Sequence, residues 1–175
     1  HTITLNTTNT KTLRAGLTNN GTMDWQDGTF NSSVATQLIN NQTLNILGNN
    51  TLGGAGSQLS LVNNGTINKT STGTTEYSTV GTFANTGTIN LNAGLFRVGA
   101  NTTLTNSGNL THAGGSFEFA VSSGSFNHNT GSVISGSGNF SHTSGTLNLN
   151  IDQVFPSTLI FSVGQFSTIS GAGNL

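Results

Sequence analysis

Two carboxylates near the N-terminus are the first candidates for chemistry. Asp24 and Asp27 flank Trp25, and paired carboxylates carry out acid–base work in β-helical polysaccharide enzymes. On a strand, however, residues three apart point to opposite faces of the sheet. We therefore interpret these two side chains as exposed acids near a turn, and we predict no catalytic residue and no enzyme activity.

Three histidines are the next candidates, because imidazole is a common metal ligand. His112, His128 and His142 are separated by 16 and 14 residues, and the chain contains no Cys. Structural zinc sites need four ligands at suitable spacings, and acids are scarce here as well. We expect these histidines to lie at the surface, and we expect neither a metal nor a cofactor.

Threonines repeat at every second position in several places and could form a flat array of hydroxyl groups, as in ice-binding β-helices. Such an array needs the pair at one place in every coil of a solenoid, whereas these pairs drift in phase. Ice binding is therefore a minor alternative. The pairs include Thr2/Thr4, Thr86/Thr88 and Thr103/Thr105.

Composition excludes several other classes of protein. The 175 residues include four Lys or Arg and five Asp or Glu, and more than half are Gly, Asn, Thr or Ser. Four dispersed cations do not make the basic stripe of a nucleic-acid-binding protein. No apolar run is long enough for a membrane span, and residues that favour helices are scarce. A long polar β structure or a low-complexity tract remains.

A five-residue motif decides between these two possibilities. It reads Asn, a small or polar residue, Gly, a polar residue and an apolar residue, with one variant that lacks Gly. Its starts are 21, 23, 22, 21 and 23 residues apart. They are Asn19, Asn40, Asn63, Asn85, Asn106 and Asn129.

Apolar and polar residues alternate within each period, as in Thr88-Ile89-Asn90-Leu91. Such alternation predicts half-buried strands, and Gly-rich segments between them predict turns. A period of about 22 residues is typical of one coil of a solenoid, whose strands pair in parallel with those of neighbouring coils. We predict an all-β parallel β-solenoid of about eight coils of 21–23 residues.

The motif also predicts which residues form the core. The apolar residue after each Gly-Thr or Gly-Ser step should point inward, and the first Asn should stack on its counterpart to form a turn ladder. Lys69 breaks the inward pattern, so we expect a bulge or an edge there. Trp25 and Tyr77 should pack inside the rod. The predicted core positions are Met23, Leu44, Ile67, Ile89, Leu110, Val133 and Leu147.

These residues resemble the β-helical passenger regions of bacterial surface proteins, namely autotransporters and filamentous-haemagglutinin-like adhesins. The resemblance rests on Asn63-Asn64-Gly65-Thr66-Ile67, on Asn85-Thr86-Gly87-Thr88-Ile89 and on the Ser-Gly-x-Gly-Asn elements at 135–140 and 170–175. It covers most of residues 19–150. It implies a rigid extracellular or cell-surface stalk, usually a right-handed helix, and it carries over no catalytic residue.

The last segment differs from the rest of the chain. Residues 1–150 are assigned to the coils, and residues 151–175 to an atypical last coil, a cap or a subunit contact of the same domain. This segment holds the only Pro and the apolar run Leu159-Ile160-Phe161. The chain starts at His1 without Met, which indicates a processed or excised piece. The N-terminus loosely resembles what should follow the C-terminus, so units could join end to end.

The leading interpretation is a structural extracellular β-solenoid in an adhesin, sheath or self-stacking fibre. Its expected partners are further copies of itself, head to tail, and host or matrix glycans. The alternatives are a carbohydrate-binding or carbohydrate-cleaving β-helix, which would need clustered acids and aromatics, and an ice-binding β-helix. We expect no nucleic-acid partner.

Overall fold

A computed structural model describes residues 1–54 and 56–175, and the chain winds into an all-β parallel solenoid of about eight coils. The fold class predicted from the period is therefore confirmed. Coils 1 to 5 each contribute three short strands, one to each of three faces. Every strand pairs in parallel with its counterparts in the neighbouring coils.

The three faces are named here by their strands. Face I follows the corner that carries the five-residue motif in coils 2 to 5. It contains β1 (Thr2–Leu5), β4 (Thr22–Trp25), β7 (Thr43–Ile46), β10 (Thr66–Lys69) and β13 (Thr88–Leu91). Face II contains β2 (Lys11–Thr12), β5 (Thr29–Asn31), β8 (Thr51–Gly53), β11 (Thr74–Ser78) and β14 (Leu95–Val98). Face III contains β3 (Leu17–Asn19), β6 (Thr36–Asn40), β9 (Leu59–Asn63), β12 (Thr82–Asn85) and β15 (Thr103–Asn106).

Later coils have strands that continue around the corners. β16 (Asn109–His128) and β17 (Val133–Leu149) form coils 6 and 7, and each passes through all three faces. β18 (Leu159–Ser170) supplies faces II and III of coil 8. Register shifts between β16 and β17 mark the corners.

The first inward column of face I is the core predicted by the motif, with one correction. Met23, Leu44, Ile67, Ile89 and Leu110 pair in register and are at most 2% exposed. The prediction for Val133 is wrong, because Val133 is 49% exposed and Ile134 takes the inward place opposite Leu110. Leu147 is buried, as predicted, although it lies on face III opposite Phe126 and not in this column.

The slip at Val133 has a local cause. The corner from His128 to Ile134 spans six positions, whereas the corner from Asn106 to Leu110 spans four. Gly131 adopts a φ of 91° there, and the Ser132 amide bonds the Asn129 carbonyl at 3.0 Å. The motif starts at Asn129, one residue after His128, and its apolar residue Val133 comes one residue before the inward Ile134. An offset of one residue exchanges inward for outward side chains, since side chains alternate along a strand.

Aromatic rings stack along the inside of face II. Phe96, Phe117, Phe140 and Phe161 pair in register, and successive ring centroids are 6.1, 5.6 and 5.4 Å apart with nearly parallel planes. Stacked aromatic pairs add about 0.5–1.5 kcal/mol each beyond burial. Phe161, expected as a subunit contact, is therefore also the last ring of this column.

In coils 5 and 6, glycine at the face III–face I corner is required by the closeness of the preceding coil. A Cβ on Gly87 would lie 2.0 Å from the carbonyl oxygen of Gly65, and one on Gly108 would lie 2.1 Å from that of Gly87. The backbone there is not in the left-handed region, so a steric contact decides the residue. The same contact occurs at Gly65, whose Cβ would lie 2.1 Å from the Gln42 carbonyl oxygen, whereas coil 3 has Gln42 itself at this corner position.

The segment 151–158 covers face I of coil 7 without forming a strand. Gln153 is 5% exposed, its Oε1 accepts from the Ile134 amide at 3.2 Å, and its Nε2 donates to the Ile134 carbonyl at 3.1 Å. One side-chain amide thus satisfies the backbone groups that a strand would otherwise pair. In β18, Leu159 is 6% exposed and Ile160 is 63% exposed.

Candidate functional site

A ladder of asparagine side chains runs through the corner between faces III and I. Asn19, Asn40, Asn63, Asn85 and Asn106 are at most 2% exposed. Each of the first four amide nitrogens donates to the Oδ1 of the next Asn at 2.7–2.8 Å. The same nitrogens donate to the carbonyl of the first face I residue after the next Asn of the ladder. Three of them also donate to the carbonyl two residues further along their own corner. The amides therefore join one coil to the next and also hold the turn.

Asn129 was predicted as the sixth member of this ladder, and the structure places it elsewhere. His128 takes the position opposite Asn106, and Asn129 lies one residue further along, in an outer column where its Oδ1 accepts from Asn150 at 2.7 Å. The longer corner after His128 separates the motif from the ladder.

Face I presents three outward columns of small polar side chains. Thr2, Thr22, Thr43, Thr66 and Thr88 lie in register across coils 1 to 5. The Thr-x-Thr pairs do drift, but the leading Thr of each face I strand does not. In coils 3 to 5, the outward pattern of face I is therefore Thr-x-Asn.

The columns on either side of the threonines are bonded along the rod. On one side, Asn90 donates to Asn68 at 2.9 Å, Asn68 to Asn45 at 3.0 Å, and Asn45 to Asp24 at 2.7 Å. On the other side, at the exposed corner, Asn41 bonds Asn20 at 2.8 Å and is bonded by Asn64 at 3.0 Å. These amides hold face I as a regular, nearly uncharged surface.

Asp24 thus serves as the first acceptor of an amide column, and it is half-buried rather than exposed. Asp27 is also half-buried, and its carboxylate accepts from the Gly28 amide at 2.6 Å. Between them, Trp25 is fully buried, and its indole N–H donates to the Asp27 carbonyl at 2.9 Å. This arrangement shapes a turn. Tyr77 is likewise packed inside the rod, as expected.

Lys69 lies inside the rod, which corrects the expectation of a bulge or an edge. It stays in register between Ile46 and Leu91 and is fully buried. Its Nζ donates to the Ser71 carbonyl at 2.5 Å, the Ser71 hydroxyl at 2.6 Å and the Gly73 carbonyl at 2.9 Å. Burial lowers the pKa of this amine to about 8. The carbonyl groups of this corner accept the hydrogen bonds that a carboxylate would accept in a buried ion pair.

The histidines were expected at the surface, and this is wrong. His112, His128 and His142 are at most 1% exposed, and the ring of His142 stacks on Phe119 with centroids 5.7 Å apart. Each stands two residues after a buried apolar residue, so the alternation within the strands was the signal that could have placed them inside. Among residues 1–54 and 56–175, no three His, Cys, Asp or Glu side chains are grouped to hold a metal ion.

Charged side chains outside the core pair along face II. Arg97 lies between Glu76 and Glu118, with Nη1 3.7 Å from Glu76 and Nε 3.2 Å from Glu118. These groups are partly exposed, so each pair contributes little to stability. They place opposite charges in register on three successive coils.

A shallow groove of about 440 Å³ lies beside face III in coils 1 to 3. Its lining consists of small, aliphatic and amide side chains, among them Gln37, Gln58 and Ser60. It is lined differently from the acid- and aromatic-rich groove that a carbohydrate-cleaving β-helix would need.

Comparison of the chain with protein-family models, with curated proteins and with solved structures gave no match in any of the three. The class of protein is therefore defined by its own fold, a structural parallel β-solenoid. The part of the chain that the structure describes has no helix that is long and apolar enough to cross a membrane.

Proposed function

We propose that this protein is a rigid rod of an extracellular surface structure, as part of an adhesin, a sheath or a self-stacking fibre. The observation that carries the proposal is the continuous ladder from Asn19 to Asn106 beside a single cluster of buried apolar side chains. Bonds that pass from coil to coil resist bending and fraying. The function is mechanical, and most side chains contribute by stacking.

Self-stacking is supported by the surface of coil 8. Val163 and Ile169 lie at inward positions above His142 and Leu147, yet they are 50% and 40% exposed. Another coil that packed on β18 would cover these two side chains. Its strands would also pair with the open edge of β18, which is a template for strand addition. We propose that this coil comes from a second copy, head to tail. A net charge of −1 gives little repulsion between copies.

Electron microscopy over a range of protein concentrations tests this proposal. We expect filaments that lengthen with concentration, and we expect Val163→Asp to shorten them by placing a charge on the stacking surface. Val34→Asp is the matched control, since Val34 is similarly exposed at 46% but lies in coil 2. Single rods at every concentration would exclude self-stacking.

The adhesin assignment rests on the resemblance of the motifs and adds a ligand to the rod. Matrix or host glycans are the proposed ligands. A glycan array tests binding, and a reducing-sugar assay on the same glycans distinguishes binding from cleavage. Binding without release of reducing ends is expected of an adhesive rod.

Ice binding is a second candidate because the threonine column of face I is in register over five coils. Hydroxyl and methyl groups at regular spacing on a rigid sheet can match the regular spacing of water molecules at the surface of an ice crystal. An ice-binding rod is expected to show thermal hysteresis. The substitution Thr66→Tyr should abolish it, because it interrupts the threonine column. Thr105→Tyr, on face III, should leave it unchanged. A wild-type protein that shows no hysteresis and does not shape ice crystals rules out this candidate.

A further inference from the structure

Three core positions in coils 6 and 7 carry histidine where the preceding coil carries a residue that does not titrate. His112 follows Leu91 on face I, His128 follows Asn106 on face III, and His142 follows Phe119 on face II. All three are buried. Each ring occupies the last inward position of its face. Within coils 6 and 7, each of the three faces therefore carries one buried imidazole.

Hydrogen-bond partners determine which nitrogen of each ring carries the proton. His112 Nδ1 faces the Gly115 carbonyl at 3.1 Å, and His142 Nε2 faces the Thr168 carbonyl at 3.3 Å, so these nitrogens must donate. His128 Nδ1 lies 2.7 Å from the Ser132 hydroxyl, which itself donates to the Asn129 carbonyl at 2.7 Å. With the Ser132 proton directed at that carbonyl, His128 Nδ1 is the donor of the pair.

The second nitrogen of each ring has no hydrogen-bond partner among the described residues. These atoms are His112 Nε2, His128 Nε2 and His142 Nδ1, and all are inaccessible to solvent. Protonation would create there a buried N–H donor without an acceptor, together with a buried charge. Burial accordingly lowers the pKa of all three imidazoles from the ordinary 6.5.

Charged groups near these rings are engaged elsewhere. The strands packed on them, β13 to β18, contain only Arg97 and Glu118, and the segment before β18 adds Asp152. Glu118 forms an ion pair with Arg97 and accepts from the Thr143 hydroxyl, each at 3.2 Å, and Asp152 accepts from the Asn174 backbone amide at 2.8 Å. No carboxylate on these elements is therefore positioned to stabilise an imidazolium in the core.

We propose that coils 6 to 8, residues 109–170, form an acid-labile end of the rod, which opens when His112, His128 and His142 take up protons. Coils 1 to 5 have an amide ladder at the same corner, which does not titrate, and their one histidine, His1, is exposed. Below pH 6.5 the unfolded segment binds more protons than the folded segment, so its stability falls as the pH falls.

Hydrogen exchange read by mass spectrometry between pH 7.5 and 4.5, corrected for intrinsic exchange rates, tests the proposal. Below the ordinary histidine pKa, we expect protection in peptides from residues 109–170 to fall by up to about tenfold per pH unit for each histidine that is protonated on opening. Peptides from residues 1–106 should change little. Equal loss of protection along the whole rod would overturn the proposal.

Variants identify the responsible groups. The triple change His112→Leu, His128→Asn and His142→Phe installs the residue types of the preceding coil and should remove the pH dependence. His1→Asn removes an exposed histidine and should leave the dependence unchanged. If the triple variant does not fold, each single change should still reduce the pH dependence of protection in residues 109–170 by up to about tenfold per pH unit. A wild-type slope in all variants would also overturn the proposal.

Discussion

Asn63 lies at the centre of the ladder, and its removal tests whether the ladder stabilises the rod. Its Nδ2 donates to Asn85 Oδ1 at 2.7 Å and to the Thr88 carbonyl at 3.1 Å, and its Oδ1 accepts from Asn40 at 2.8 Å. Asn63→Ala deletes these three bonds, at a net cost of about 1 kcal/mol each. Asn85 Oδ1 also loses its donor inside the protein, which adds about 1–3 kcal/mol. We expect a loss of about 4–6 kcal/mol.

The neighbouring residue provides a matched control. Asn64 also bonds the adjacent coils, with its Nδ2 3.0 Å from Asn41 Oδ1 and its Oδ1 3.0 Å from the Thr86 hydroxyl. It is exposed, however, so water replaces these partners. Asn64→Ala should therefore change the free energy of unfolding by no more than about 0.5 kcal/mol.

Urea denaturation followed by circular dichroism measures both variants. Solenoids can unfold in parts, so hydrogen exchange of peptides from coils 3 and 4 should accompany the global measurement. A ladder that stabilises the rod predicts a large loss for Asn63→Ala, centred on these coils. Equal effects of the two substitutions would refute the reasoning, because burial of the amide would then make no difference.

Two further substitutions test the core and the corner. Lys69→Leu should stabilise the rod by up to about 3 kcal/mol, because a pKa lowered from 10.5 to about 8 measures the cost of burying the charge. The gain in urea denaturation should be largest below pH 8 and shrink toward pH 10.5, where the wild-type amine becomes neutral in both states; a gain independent of pH would contradict this. Gly87→Ala should prevent folding of coils 4 and 5 or cost more than about 3 kcal/mol, since its Cβ would lie 2.0 Å from a carbonyl oxygen. Gly16→Ala, whose Cβ would lie 3.7 Å from the nearest atom, should be tolerated in thermal denaturation, and equal melting temperatures for the two alanine variants would contradict the steric argument.

Local patterns were enough to predict the coils and most of the core. Met23, Leu44, Ile67, Ile89 and Leu110 follow the same corner and the same alternation, so each could be placed from its own five-residue context. The motif failed where the corner changed length, at Asn129 and Val133, because a match in sequence does not record how many residues the turn uses.

Polar residues inside the rod were harder to predict, because their partners lie in other parts of the coil or in neighbouring coils. Lys69 is held by Ser71 and Gly73 of the following corner, and His128 by Ser132. A side chain that usually seeks water can occupy an inward position when carbonyls or hydroxyls of a turn satisfy it. Composition and charge carry no information about such pairing.

The sequence by itself determined the period, the parallel solenoid and the direction of most apolar side chains, because these depend on alternation and on corners that repeat every 21–23 residues. Only the tertiary structure decided which Asn joins the ladder, which threonines align and which lysine and histidines are buried. These features depend on the residue one coil away, about 22 positions distant in the chain. That neighbour is set by the exact length of each corner, and a change of one residue in that length reverses the direction of every side chain that follows in the strand.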